Sequence, residues 1–192
     1  MPLVAVAVVA LVAGATLWAV STGGNDNGTG ATSQSSAAGA RCRTVVPTNA
    51  GEALTGHAAP EFTLPSLDGR CIDLSAYSGR PVVVNFWASW CHPCRQEFPL
   101  MRAARARHRG DGLVILGVVH QDIADDARQF ARDEHATWPM LFDEHSSVSA
   151  EYGVKPIPQT FFIRRDGSIS ARVFGLSSER QLEHELARII KP

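Results

Sequence analysis

The sequence predicts an α/β domain built on a central mixed sheet flanked by helices, and three observations carry that prediction. Two continuous apolar runs rich in β-branched residues, at 81–87 and 113–119, have the length and composition of strands covered on both faces. A helix-compatible segment lies between them, so the order strand, helix, strand predicts parallel pairing through a right-handed crossover. Near the C-terminus, Arg165-Asp166-Gly167 separates two further strand-like runs as a hairpin turn, which adds an antiparallel pair.

The elements follow in order. Leu3–Val20 carries no charged residue and consists mainly of Val, Ala and Leu. It sits at the short edge of the roughly 17 to 25 residues that span a bilayer and exceeds the roughly 7 to 15 of a signal-peptide core. The preferred reading is an uncleaved anchor, with cleavage near Ala19-Val20-Ser21 as the alternative. Residues 1–20 are thus expected to be a signal peptide or transmembrane anchor. Residues 21–40, rich in Gly, Ser, Thr, Asn and Ala, are expected to be a flexible low-complexity linker, because they cannot bury enough apolar surface to offset their ordering entropy. Residues 41–192 are then the folded domain, held at the extracytoplasmic face of the cell membrane, or secreted if the segment is cleaved. A chain of 192 residues with a net charge of −1 fits one domain with an appendage and carries no basic run that would mark a nucleic-acid or polybasic membrane footprint.

Within the folded part, Phe62 and Leu64 alternate as a short strand, Asp68-Gly69 turns the chain, and Cys71-Ile72-Asp73-Leu74 completes an N-terminal β-hairpin extension. Pro81–Trp87 is the best central strand. A helix follows from Pro93 to about Arg107, then the strand Leu113–Val119 and a helix over Ile123–Glu134 anchored by Phe130. Pro139–Phe142 and a short helix near Ser147–Tyr152 lead to the strand Gln159–Ile163. The chain returns through Ile169–Phe174 and closes with an amphipathic helix over Ser178–Ile190.

The chemistry is carried by Trp90-Cys91-His92-Pro93-Cys94 at the junction of the central strand and the first helix. A Cys-x-x-Cys pair is either redox-active or half of a metal site. The only other cysteines, Cys42 and Cys71, stand far apart in sequence, so a second zinc half-site is lacking and no metal or other cofactor is expected. Arg95 follows Cys94 where a haem attachment motif needs His. Pro93 suits a helix start, where its missing N–H costs little. Cys91 then lies at the positive end of the helix dipole, which favours thiolate over thiol and makes it the nucleophile. Cys94, one turn further on, is placed to resolve the mixed disulfide. His92 either adds positive character to the pair or is an exposed spacer. Trp87 reads as core and Trp90 as rim, with shielding of the sulfur as a second reading of Trp90. His108, His120 and His135 show no ligand-like pairing and read as surface residues.

The run from Asn85 to Pro99, the Pro60-Glu61-Phe62-Thr63-Leu64 opening, Tyr152-Gly153-Val154 and Ile157–Ile163 together resemble the TlpA/ResA/CcmG group of membrane-tethered, extracytoplasmic thioredoxin-like thiol–disulfide oxidoreductases. The resemblance spans about Pro60 to Ile190. It implies a thioredoxin-like fold and assigns Pro158 as the cis-proline facing the redox pair, a choice over Pro156 that the residues alone do not make. It also matches Glu97 to the glutamate of the ResA-like subgroup, a proton acceptor for the resolving thiol if burial raises its pKa. Asn85 stands where cytoplasmic thioredoxins carry a buried Asp and cannot titrate, which leaves that role to Glu97 or water. In an oxidising compartment, Cys42 and Cys71 read as a structural disulfide tying the N-terminal segment to the hairpin, with free thiols or a second exchange pair as alternatives.

The resemblance further implies a reductant in cytochrome c maturation, fed by a membrane thiol–disulfide donor and acting on cysteine pairs of apocytochrome c, or on the cysteines of an oxidase copper site. The competing reading is an oxidant or isomerase that forms disulfides in secreted proteins. A thiol peroxidase is suggested by the Pro60–Leu64 opening, but the Pro-x-x-x-Thr-x-x-Cys arrangement is absent before Cys91. A non-enzymatic binding module on the same scaffold is the last alternative.

Overall fold

The computed structural model describes Cys42, Thr44–Val45 and residues 54–191. The expected anchor and linker, residues 1–20 and 21–40, lie outside the described residues. Among the described residues no helix is long and apolar enough to cross a membrane.

Five strands, β4 (Val82–Trp87), β5 (Val114–Val119), β6 (Met140–Phe142), β7 (Gln159–Ile163) and β8 (Ile169–Phe174), form one sheet in the order β6-β5-β4-β7-β8. β4 pairs parallel with β5 and antiparallel with β7, so the sheet is mixed. The helices are α1 (His92–Arg107), α2 (Ala124–Asp133), α3 (Ser147–Glu151) and α4 (Glu179–Ile190). The architecture is thioredoxin-like. Strand periodicity explains why β4 is apolar throughout: Val83 and Trp87 face one core with Phe98, Phe130, Leu182 and Leu186, and Val82, Val84 and Phe86 face a second with Val148, Tyr152 and Phe161. With both faces covered, all six β4 residues are buried.

Gly117 in β5 is required by close packing. A Cβ there would lie 2.5 Å from Met140 Sδ and 2.8 Å from Trp87 Nε1. Only glycine lets the Trp87 indole settle against the strand.

The N-terminal extension is a separate three-stranded antiparallel sheet, β1 (Thr44–Val45), β2 (Phe62–Pro65) and β3 (Cys71–Asp73). The hairpin β2–β3 has the expected Asp68-Gly69 turn, and β1 adds a strand too short to show any periodicity. A Ser66–Leu141 bridge and the Leu67 N–H donating to Met140 O (2.7 Å) join this sheet to β6. Tyr152 Oη donates to Pro60 O (2.9 Å) and holds the approach to β2 on α3.

Cys42 and Cys71 are joined in a disulfide with Cα atoms 5.3 Å apart, closing a sequence separation of 29. In the chain-entropy picture a loop of that size contributes about 3 to 4 kcal/mol through the unfolded state. The Cys42→Ala/Cys71→Ala double variant is therefore expected to unfold with a stability lower by about that amount while keeping the Cys91–Cys94 exchange reaction. Denaturant titration reads the first effect and a disulfide-reduction assay the second. Loss of exchange in the folded double variant would point to a relay role for this pair instead.

Candidate active site

The geometry begins at the end of β4. Ala88 O accepts from Cys91 N–H (3.2 Å), and Cys91 becomes the N-cap of the sixteen-residue helix α1. Cys91 and Cys94 are joined in a disulfide with Cα atoms 5.3 Å apart, so the two sulfurs stand in for the thiolate and thiol of the reduced pair. Cys91 Sγ accepts from Cys94 N–H at 3.2 Å. That amide and the helix dipole would stabilise negative charge on Cys91 rather than on Cys94. Both cysteines are buried, while His92 and Pro93 between them are exposed.

A brace fixes the loop before Cys91. Asp122, in the loop before α2, accepts from the Ser89 N–H (2.5 Å) and hydroxyl (3.0 Å). Trp90 Nε1 donates to Gln121 O (3.0 Å), with Gln121 at a φ of 49°. Trp90 is thus tied by its edge and leaves 61% of its surface in solvent, in keeping with a rim position. Neither Gln121 nor Asp122 is legible in the sequence, because one polar pair before a helix resembles any N-terminal capping segment.

Beneath the disulfide lies a buried polar cluster. Glu97, three residues after Cys94 and so on the same helix face, is buried with Asn85 and Thr160. The β4–β7 register pairs Asn85 with Thr160, and the Asn85 side-chain amide donates both to Thr160 Oγ1 and to Glu97 Oε2, each at 3.0 Å. The Leu176 N–H donates to the other Glu97 oxygen. Gly175, at a φ of 71°, makes the turn that aims this N–H, and its own N–H donates to Pro158 O (3.1 Å). The Ile157–Pro158 peptide bond is cis, whereas Pro156 is trans-linked. One short segment, 175–176, therefore ties the carboxylate behind Cys94 to the proline loop. The sequence reading placed Asn85 and Glu97 separately and missed Thr160 and Leu176, which only the strand register and the turn bring in.

Burial pushes the Glu97 carboxyl up to about 7, against the opposing pull of the Leu176 N–H and the Asn85 amide. Near neutral pH it holds a proton part of the time, as a group that gives and takes protons must. A raised pKa means that the folded chain binds this proton more tightly than the unfolded chain. The associated stability is complete below the ordinary value of 4.5 and is lost as pH rises to about 7. The loss should be on the order of 3 kcal/mol. Denaturation of the wild type and of Glu97→Gln across this window is expected to show the fall in the wild type only; parallel curves would contradict it.

The histidines divide. His135 is exposed, and His108 is half-buried between Asp111 and Glu183 (2.8 Å each). His120 is not the surface residue expected: it is buried at the end of β5, and its Nδ1 meets Ser149 Oγ at 2.9 Å, which donates to Asp143 (2.8 Å). Burial lowers its pKa, with Asp143 opposing. Among the described residues no group of three or more His, Cys, Asp or Glu is arranged to hold a metal ion.

Comparison with known proteins adds the following. The model of the AhpC/TSA family matches residues 55–172. The thiol-disulfide oxidoreductase ResA of Bacillus subtilis (strain 168) is 32% identical over 137 residues, covering 71% of this chain and 76% of its own length. ResA of Geobacillus thermodenitrificans is 33% identical over 134 residues, covering 70% and 77%. Among solved structures, one assigned to the thiol:disulfide interchange protein DsbE of Chlorobium tepidum is 32% identical, covers 71% of this chain and 98% of its own, and superposes with a TM-score of 0.68. A secreted Mycobacterium tuberculosis disulfide oxidoreductase homologous to E. coli DsbE is 25% identical over 66% of this chain and 95% of its own, with a TM-score of 0.61.

Proposed function

This chain belongs to the AhpC/TSA family and, within it, to the ResA-like thiol–disulfide oxidoreductases, and from that premise we propose that it works outside the cytoplasm as a reductant of protein disulfides in cytochrome c maturation. Cys91 thiolate attacks a client disulfide, forming a mixed disulfide and releasing the client's second sulfur as a thiolate that takes up a proton. Cys94 then loses its proton and attacks Cys91 Sγ, which expels the reduced client and leaves the Cys91–Cys94 disulfide. A membrane thiol donor returns two electrons and two protons to that pair. Its clients are cysteine pairs of apocytochrome c or of an oxidase copper site.

Glu97 is the observation that carries the exchange step, and the direction rests on the resemblance to the ResA-like group. Resolution by Cys94 is the step that a reductant must complete within its own chain, and it needs a proton acceptor. A carboxyl at about 7 on the same face of α1 supplies one at neutral pH. In the reverse reaction the same carboxyl protonates Cys94 as it leaves, so the reduction potential relative to client and donor sets the direction.

Docking is supported by the three large apolar side chains that stay exposed among the described residues, Trp90, Ile123 and Phe174. Trp90 precedes Cys91, Ile123 follows the Asp122 brace, and Phe174 pairs with Gln159 beside Pro158. An extended client strand laid along Pro158 would meet all three. His92, exposed between the cysteines, tunes the pair through its charge, and Pro93 holds the helix start. The anchor at residues 1–20 would keep this surface near its membrane donor.

Equilibration against a thiol–disulfide redox buffer tests the direction. A midpoint near the thioredoxin value of about −270 mV is expected, and one near the DsbA value of about −120 mV would overturn the reductant in favour of an oxidant.

A further inference from the structure

A cavity of about 620 Å³ opens between the β2–β3 turn, α2 and the segment entering β6. None of the redox-site residues lines it. Its size falls in the range of small-molecule sites. Four arginines line it, Arg70, Arg105, Arg128 and Arg132, together with one acidic residue, Asp68. On a chain whose net charge is −1 this is a strong local concentration of positive charge.

The hydrogen bonds show which of these charges are already spoken for. Arg70 pairs with Asp68, and Arg128 bonds Asp125 and Leu67 O. Arg105 instead donates to the Thr137 hydroxyl (3.2 Å), and Arg132 to the Gln129 amide oxygen (2.6 Å). Both partners are neutral, and among the described residues neither arginine forms an ion pair. Two arginines on different helices, α1 and α2, thus line one space with no carboxylate partner among the described residues, and a guanidinium group is well suited to binding an oxyanion.

The floor is apolar and held in place. Leu67, Pro139, Met140 and Trp138 form it. Trp138 is buried and its ring packs on Phe98 of α1 with centroids 5.4 Å apart. The Leu67 backbone is bonded on both sides, to Met140 O and by Arg128 Nε. A rigid apolar floor beneath a cationic rim selects a ligand with both characters, not a bare ion.

We propose that this cavity binds a small organic anion, a carboxylate or phosphate ester with a flat apolar body. Its charged group is held by Arg105 and Arg132, and its body lies against Leu67 and the edge of Trp138. The site is independent of the redox chemistry at Cys91–Cys94.

The test is titration of the full-length protein, labelled with ¹⁵N at tryptophan, with phenyl phosphate as the probe. The indole N–H signals of Trp138 and Trp90 report the cavity and the redox rim separately. The Trp138 signal is expected to shift saturably while the Trp90 signal stays in place. Inorganic phosphate and phenol, each carrying half of the ligand's character, should bind about tenfold or more weaker, as should phenyl phosphate to the Arg105→Gln/Arg132→Gln variant. Thermal unfolding of that variant should match the wild type, since both side chains bond only exposed neutral partners. The absence of a saturable Trp138 shift would overturn the site. Undiminished affinity in the variant would show that the arginines do not hold the anion, and equal binding of inorganic phosphate would reduce the cavity to a simple ion site; either result also overturns the proposal.

Discussion

Cys91→Ser is expected to lower disulfide exchange by at least about a thousandfold, to the background of the assay. A serine hydroxyl at the α1 N-cap still accepts the Cys94 N–H, so the helix start is kept and the loss is chemical. No thiolate forms at neutral pH on an alcohol, and no mixed disulfide can be made at that position. The two cysteines act as a unit. Adding Cys94→Ser to Cys91→Ser should therefore cost nothing further, whereas independent contributions would multiply. Reduction of insulin disulfides by a thiol donor, followed by turbidity, measures all three variants. Substantial activity in Cys91→Ser would transfer the nucleophile to Cys94.

Phe98→Ala should have the largest effect on stability of any single substitution considered, about 3 to 5 kcal/mol. Phe98 is buried on α1 one residue after Glu97. Its ring packs on Trp87, Phe130 and Trp138 with centroids at 5.1, 5.1 and 5.4 Å. These neighbours belong to β4, to α2 and to the approach to β6, so the ring is the joint through which the redox helix sits on the sheet. Trp87 is held from behind by the strand at Gly117, which limits collapse into the vacated space. Urea denaturation reads the loss, and a cost below about 1 kcal/mol would mean that the cluster repacks.

The strands and helices of the main sheet were legible because their signals are long. Gln159–Ile163 and Ile169–Phe174 match the observed β7 and β8 residue for residue. Helix α1 runs through Pro99, which cannot donate to the Arg95 carbonyl, since the sheet side of α1 is fixed by Phe98 and Met101. β1 was not legible: two residues carry no period, and pairing with Thr63 and Phe62 defines them.

At the site, Cys91, Cys94 and Glu97 stand within one helical run, so their spacing already places them together. Thr160, Leu176 and Asp122 reach the site from distant segments by strand register, a turn at Gly175 and a loop bond. Nothing local in the sequence marks them. His120 shows the same limit from the other side. Its burial depends on Ser149 and Asp143, which approach only once α3 packs beside β5.

Trapping with Cys94→Ser in cells tests the central claim that Cys91 attacks and Cys94 resolves. Without the resolving thiol, the Cys91 adduct cannot be released, and non-reducing gels of membrane fractions should show mixed disulfides that collapse on reduction and are absent from Cys91→Ser. Adducts on Cys91→Ser with none on Cys94→Ser would contradict the account.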